Sequence, residues 1–250
     1  MSNIRIYKLN NLDISSLENL KKGIKIFLKD KSRDIFVIMV DKDEKEQLKQ
    51  VKLFGKLRKE DAVHYVSLGQ ELFSIIYEAK KIIIGMADGF IFDGFFELLL
   101  ACDLLFSTER SKFGFPCISY GIIPAFGSLK LLCRGIFEQF VKYMVLTGSM
   151  VDVNSLYEKG IVNKIFEDRL SLQDYINNLS INFSNKSQFA QGLLKEVINH
   201  TIFSSLEDAL LIEQNAFCLS FCNDDRIEGI KAFLNKKTPA FKSRWEDIYS

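Results

Sequence analysis

Hydrophobic positions along this chain change their period several times, and each change marks an element. Residues 4–9, Ile-Arg-Ile-Tyr-Lys-Leu, alternate as a half-buried strand does. Ser15 and Glu18 stand at capping-box spacing. Behind them Leu17, Leu20, Ile24 and Phe27 recur every three or four residues and predict a helix to about Lys29. Residues 35–40 form an unbroken apolar run, the pattern of a parallel strand covered on both faces. Residues 41–60 carry dense mixed charge without a period and predict a solvated loop or mobile segment. From about Ala62 to Lys80 a helical period returns through Tyr65, Leu68, Leu72, Ile75, Ile76 and Ala79. A second buried strand, Ile82–Ala87, then runs into the turn signal Asp88-Gly89.

The second half repeats this grammar. The pattern predicts a helix from near Gly94 to Cys102 and a strand at Leu104–Ser107. After Pro116, Gly121 and Pro124 it predicts helices at about 127–133 and 136–147. Asp152 can cap a short helix that Gly160 closes, and a strand follows at Ile161–Phe166. From about 170 to 235 the period is helical, with a capping box at Ser204 and Glu207. Alternating strands and helices predict an α/β fold with a parallel sheet, crossover helices and a helical tail.

Composition narrows the function classes. Apolar residues make up 48% and charged residues 26% of the 250, an ordinary globular balance that excludes a disordered or fibrous chain. With 33 basic and 32 acidic residues the net charge is +1, which argues against a nucleic-acid partner. No 18-residue apolar run predicts a membrane span, and the N-terminus shows no secretory pattern. Five cysteines at irregular spacing, with two histidines in the chain, read as reduced, buried thiols of a cytoplasmic protein rather than disulfides or a metal site.

Candidate chemistry concentrates in Asp88–Leu98. There a buried strand ends, the chain turns on glycine, and a helix begins near Gly94. Amides in the first turn of a helix have no intrahelical acceptor and favour an anionic oxygen. Glu97 lies one turn further on, and Asp93, four residues before it, can share its face. Acids are common in first helical turns, so this spacing alone is weak.

A longer string of motifs is specific. Lys81-Ile82-Ile83-Ile84-Gly85-Met86-Ala87-Asp88-Gly89-Phe90 and then Gly94-Phe95-Phe96-Glu97-Leu98-Leu99-Leu100-Ala101-Cys102-Asp103 resemble the core signature of the enoyl-CoA hydratase/isomerase (crotonase) family. The likeness continues through Lys112–Pro116, Gly121–Gly127, Leu146–Gly148, Gly160–Lys164 and Glu228–Lys237, in register from about residue 80 to 242. The resemblance implies a crotonase-like spiral of ββα units over residues 1–170. It implies a C-terminal helical region over 171–250 that supports a homotrimer, often paired into a hexamer. The ligand implied is an acyl thioester of CoA or acyl-carrier protein, in fatty-acid or polyketide metabolism. CoA or phosphopantetheine then enters as part of the substrate, with no separate cofactor, nucleic acid or membrane partner.

Carried over residue by residue, the resemblance puts an oxyanion amide at Gly94 and a catalytic glutamate at Glu97. The second glutamate would follow a Phe-Gly-x-Pro turn, where this chain has Cys117. Asp93 stands where glycine is usual, and Phe95 and Phe96 replace small residues, which narrows the site or adds charge to it. The first oxyanion amide would come from Lys45–Val51, a stretch without glycine, and falls to Leu48 or a neighbour. Phe233 and Lys236 match positions that reach the CoA adenine and phosphates of a neighbouring subunit. One retained carboxylate favours a proton-shuttling isomerase or a specialised dehydratase over a two-glutamate hydratase. The alternative is a catalytically impaired homologue that binds thioesters or proteins.

Overall fold

Unbroken apolar runs need cover on both sides, and the central sheet supplies it. A computed structural model describes residues 3–245. Its strands are β1 (Ile4–Lys8), β2 (Ile35–Lys42), β3 (Ile82–Phe92), β4 (Leu104–Thr108), β5 (Lys112–Gly114), β6 (Val151–Asp152) and β7 (Lys164–Phe166). Five of them form a parallel sheet in the order β1-β2-β3-β4-β7. Ile35 lies opposite Ile82, and Val40 opposite Ala87. Helices α1 (Ile14–Lys29), α2 (Gln47–Phe54), α3 (Lys59–Glu78) and α4 (Asp93–Leu100) connect these strands. Then follow α5 (Ser128–Gly135), α6 (Glu138–Thr147), α7 (Val153–Tyr157), α8 (Arg169–Ser184), α9 (Gln188–Thr201), α10 (Leu206–Ser220) and α11 (Asp225–Leu234).

Successive residues of β2 face opposite layers, as the two-residue period requires. Phe36, Ile38 and Val40 join the larger core with Leu17, Leu20, Ile24 and Phe27 of α1 and Leu72 and Ile76 of α3. Ile35 and Val37 face the other way, against Leu172 and Ile176 of α8. The first tail helix thus covers one face of the sheet. The remaining tail is tethered chiefly through α9. Lys195 Nζ donates to the Asp103 carboxylate at 2.9 Å, and Asn199 Nδ2 donates to the Tyr77 carbonyl at 2.7 Å.

β3 is the element that aims the site. Residues 82–89 pair with β2, whereas Phe90–Phe92 pair with β5, which is itself paired to β6. The strand changes sheets at Gly89, whose φ is +94° and where a Cβ would lie 2.2 Å from the Lys42 carbonyl oxygen. Only glycine fits there. Around this corner Asp88 accepts hydrogen bonds from Thr108 Oγ1 (2.7 Å) and Arg110 Nε (2.6 Å). Burial raises the Asp88 pKa, but these donors outweigh it and hold the carboxyl below the usual range.

Several expectations are corrected. Asp88-Gly89 is a bend within β3 and not its end. Residues 41–60 are not a loop: they contain a short 3-10 turn at Glu44–Glu46, helix α2 and the start of α3. The helix α1 is capped by Asp13, which accepts from Ser16 N at 2.8 Å, not by Ser15. Likewise Ser205, not Ser204, caps α10 by accepting from Asp208 N. Both caps obey the expected chemistry, shifted to the oxygen that reaches an open amide. Asp152 caps α7 as expected. Of the thiols Cys117 is buried, whereas Cys133, Cys218 and Cys222 are exposed.

Candidate active site

The corner of β3 delivers the chain directly into α4. Asp93, the first residue of that helix, has a φ of +47°. A side chain costs on the order of 1 kcal/mol or more in this left-handed region, where glycine is at ease. Asp93 is nevertheless buried, with 4% of its surface exposed. One carboxylate oxygen, Oδ1, accepts from the Cys117 amide at 3.0 Å. The other, Oδ2, is buried and has no hydrogen-bond partner among the described residues. Burial pushes the Asp93 pKa up to about 6, against the Cys117 hydrogen bonds and with a further push from Glu97.

Glu97 sits one turn on and is more thoroughly satisfied. Its Oε1 accepts from Ala125 N (3.1 Å), and its Oε2 accepts from Phe126 N (2.9 Å), Ser128 N (3.4 Å) and Ser128 Oγ (2.9 Å). The carboxylate therefore pins the loop that leads into α5. A carboxylate offers about four lone-pair sites, so the singly bonded Oε1 keeps capacity for a further donor. Burial still raises the Glu97 pKa, because removing charge from water outweighs these donors.

Asp93, Gly94, Glu97 and Cys117 line one cavity of about 250 Å³. Its other walls are mostly apolar: Phe54 from α2, Leu57, Tyr65 and Val66 from α3 and its approach, and Ile122–Phe126. Gly94 belongs to the first turn of α4, where a helix amide needs an outside acceptor. A Cβ at Gly94 would meet Phe126 Cε2 at 2.7 Å and Leu12 Cδ1 at 3.1 Å. The phenyl ring of Phe126 thus narrows the cavity without removing it. Cys117 is buried, and burial followed by the Asp93 and Glu97 charges pushes its thiol pKa up, which keeps it neutral.

The four residues around α4 meet, but other expected site residues lie elsewhere. Leu48 is on α2 with 63% of its surface exposed and does not line the cavity. Its helix still reaches the site, since Gln50 Nε2 donates to the Tyr65 hydroxyl at 3.2 Å and Gln47 Nε2 bonds Tyr120. Phe95 and Phe96 do not narrow the cavity: Phe96 packs in the core on Phe113 and Phe115, and Phe95 lies under the Lys42 ammonium. Phe233 is 83% exposed and borders a separate groove with Phe189, Arg226 and Lys237. Lys236 follows it just past the end of α11, exposed and with a φ of +53°. The residues not foreseen are Tyr65, Phe126 and Ser128, which no spacing in the sequence connects to Glu97.

The chain is similar to several known proteins. Residues 49–244 match the profile of the family described as enoyl-CoA hydratase/isomerase. The crotonyl-CoA hydratase of Syntrophomonas wolfei is 30% identical over 184 residues, 74% of this chain and 70% of that protein. The 2,3-dehydroadipyl-CoA hydratase of Escherichia coli is 30% identical over 174 residues, 70% of this chain and 68% of its own length. The crystal structure of an enoyl-CoA hydratase from Bacillus anthracis shares the fold, with a TM-score of 0.84 at 23% identity over 97% of this chain and 96% of that one.

Proposed function

This chain belongs to the enoyl-CoA hydratase/isomerase family, and we propose on that premise that its buried cavity holds the carbonyl and first carbons of an enoyl thioester, carried by CoA or an acyl-carrier protein. The observation that carries this reading is the shared wall of the cavity: a helix-terminal amide at Gly94 and a buried carboxylate at Glu97. Removing a proton from C2 beside a thioester carbonyl, or adding water at C3 of the enoyl chain, places negative charge on the carbonyl oxygen. A preorganised amide stabilises that charge where water is excluded. A carboxylate with a pKa raised by burial can take a proton from carbon and return it. The small volume suits a short acyl chain, with the carrier arm leaving through the mouth.

The test is turnover of short and long enoyl thioesters on both carriers, followed in deuterated water to locate the exchanged proton. The wild-type protein is expected to hydrate or isomerise at least one. Glu97→Gln is expected to lower kcat about a hundredfold or more. Unchanged turnover in that variant would remove Glu97 from the chemistry. Binding of the thioesters with no turnover would instead assign the chain to a binding role.

The oligomer belongs to the same proposal. Helix α10 buries none of its residues within one chain, and Leu206, Leu210, Leu211 and Phe217 along it are exposed. Apolar surface of this extent marks an interface. We expect light scattering to give the mass of three or six chains; a monomer at micromolar concentration would contradict it.

A further inference from the structure

We propose that Asp93 is the second proton-carrying carboxyl of this site, doing from the head of α4 what the carboxylate expected at Cys117 would have done. The proposal rests on the thioester reading above and adds a residue to it. Three features of Asp93 have no structural return. Its backbone is left-handed without being glycine. Its Oδ2 is buried without a partner among the described residues. It makes no side-chain cap on α4. Strain and an unsatisfied buried acceptor are both unfavourable, and they persist together mainly where a site uses them.

Position gives the use. Asp93 and Glu97 line the same cavity, and the Cys117 amide holds Asp93 Oδ1. The carboxyl is therefore fixed beside the backbone of the very position where the second acid is missing. The titratable groups facing it are Glu97 on its own helix, Cys117 on the adjoining turn, Tyr65 on α3 and Tyr120. None of them is a cation that would offset the burial that pushes the Asp93 pKa up to about 6, so both its forms are populated near neutrality. In the hydration direction the Asp93 carboxylate takes a proton from water as the water oxygen bonds C3. The C2=C3 electron pair moves into the enolate, whose oxygen the Gly94 amide holds. The Glu97 carboxyl then gives its proton to C2. One water is consumed, and a proton passes back from Asp93 to Glu97 to reset the site.

Steady-state kinetics of the full-length protein test this, on the enoyl thioester that it turns over best. The variants are Asp93→Asn, Asp93→Gly and Asp93→Gly combined with Cys117→Glu. Glycine is at ease at this φ, so Asp93→Gly folds. Both single variants are expected to lose kcat about a hundredfold or more with KM within about threefold. The acidic limb of the kcat profile near pH 6 is expected to vanish with them, and the double variant to recover much of the rate. A kcat within about threefold of wild type in either single variant, or persistence of that limb, would overturn the role of Asp93 and leave the thioester reading standing. A wild-type protein that neither binds nor turns over any thioester would overturn both.

Discussion

Asp93→Asn is expected to stabilise the protein by about 3 kcal/mol at neutral pH even as it lowers turnover. Burial is the main reason the Asp93 carboxyl titrates at about 6 instead of its ordinary 3.8. Each pH unit between the two values corresponds to about 1.4 kcal/mol, so ionised Asp93 destabilises the fold by on the order of 3 kcal/mol. The sign follows from proton counts. Between pH 3.8 and about 6 the folded protein binds more protons at this residue than the unfolded chain does. The contribution of Asp93 therefore falls as pH rises through that window and is flat above it. Asparagine keeps an acceptor for the Cys117 amide, tolerates the left-handed backbone and carries no charge. Urea unfolding of both proteins from pH 4 to 8 checks this. The gap should be small at pH 4 and should open towards pH 6. Parallel curves would mean that the carboxyl titrates as it does in water. Stability gained at the cost of activity is a recurrent property of functional sites.

Glu97→Ala is expected to act in the opposite sense, with a loss of about 3 kcal/mol. The substitution orphans three backbone amides, at Ala125, Phe126 and Ser128, and one hydroxyl. An unsatisfied buried donor costs about 1–3 kcal/mol. The full sum is not reached, because water can enter from the adjoining cavity and the Ser128 hydroxyl can turn. Glu97→Gln keeps one acceptor oxygen and misplaces an NH2 group against a donor, so its loss is expected near 1 kcal/mol. Hydrogen exchange reports the mechanism directly. The amides of Phe126 and Ser128 should exchange far faster in Glu97→Ala and near normally in Glu97→Gln. Unaltered protection in Glu97→Ala would show that the loop is held by something else. Together the two substitutions separate the anchoring role of Glu97 from its proton chemistry.

Legibility from sequence followed the strength of local patterning. The strands β2 and β3 are long apolar runs, and α1 and α3 show clear faces, so each was readable from its own residues. The helix α2 was not, because it buries only Gln50 and carries its polar residues around much of its surface. The strands β5 and β6 span three and two residues, too few to display a period. At the site, the motif string located Asp93, Gly94, Glu97 and Cys117. It could not show that Phe126 would lie against Gly94 while Phe95 and Phe96 turned away.

By itself the sequence determined the alternation of strands and helices, the family, and the placing of two acids and a glycine at the head of one helix. These are properties of neighbouring residues, and apolar period, glycine and helix-terminal chemistry act over a few positions at a time. Only the tertiary structure decided that both oxygens of Glu97 would be satisfied and one oxygen of Asp93. Three of the four donors to Glu97 are main-chain amides 28 to 31 residues away, and every residue but proline has such an amide. That the Oδ2 of Asp93 has no hydrogen-bond partner among the described residues is likewise set by which distant groups the fold brings near it.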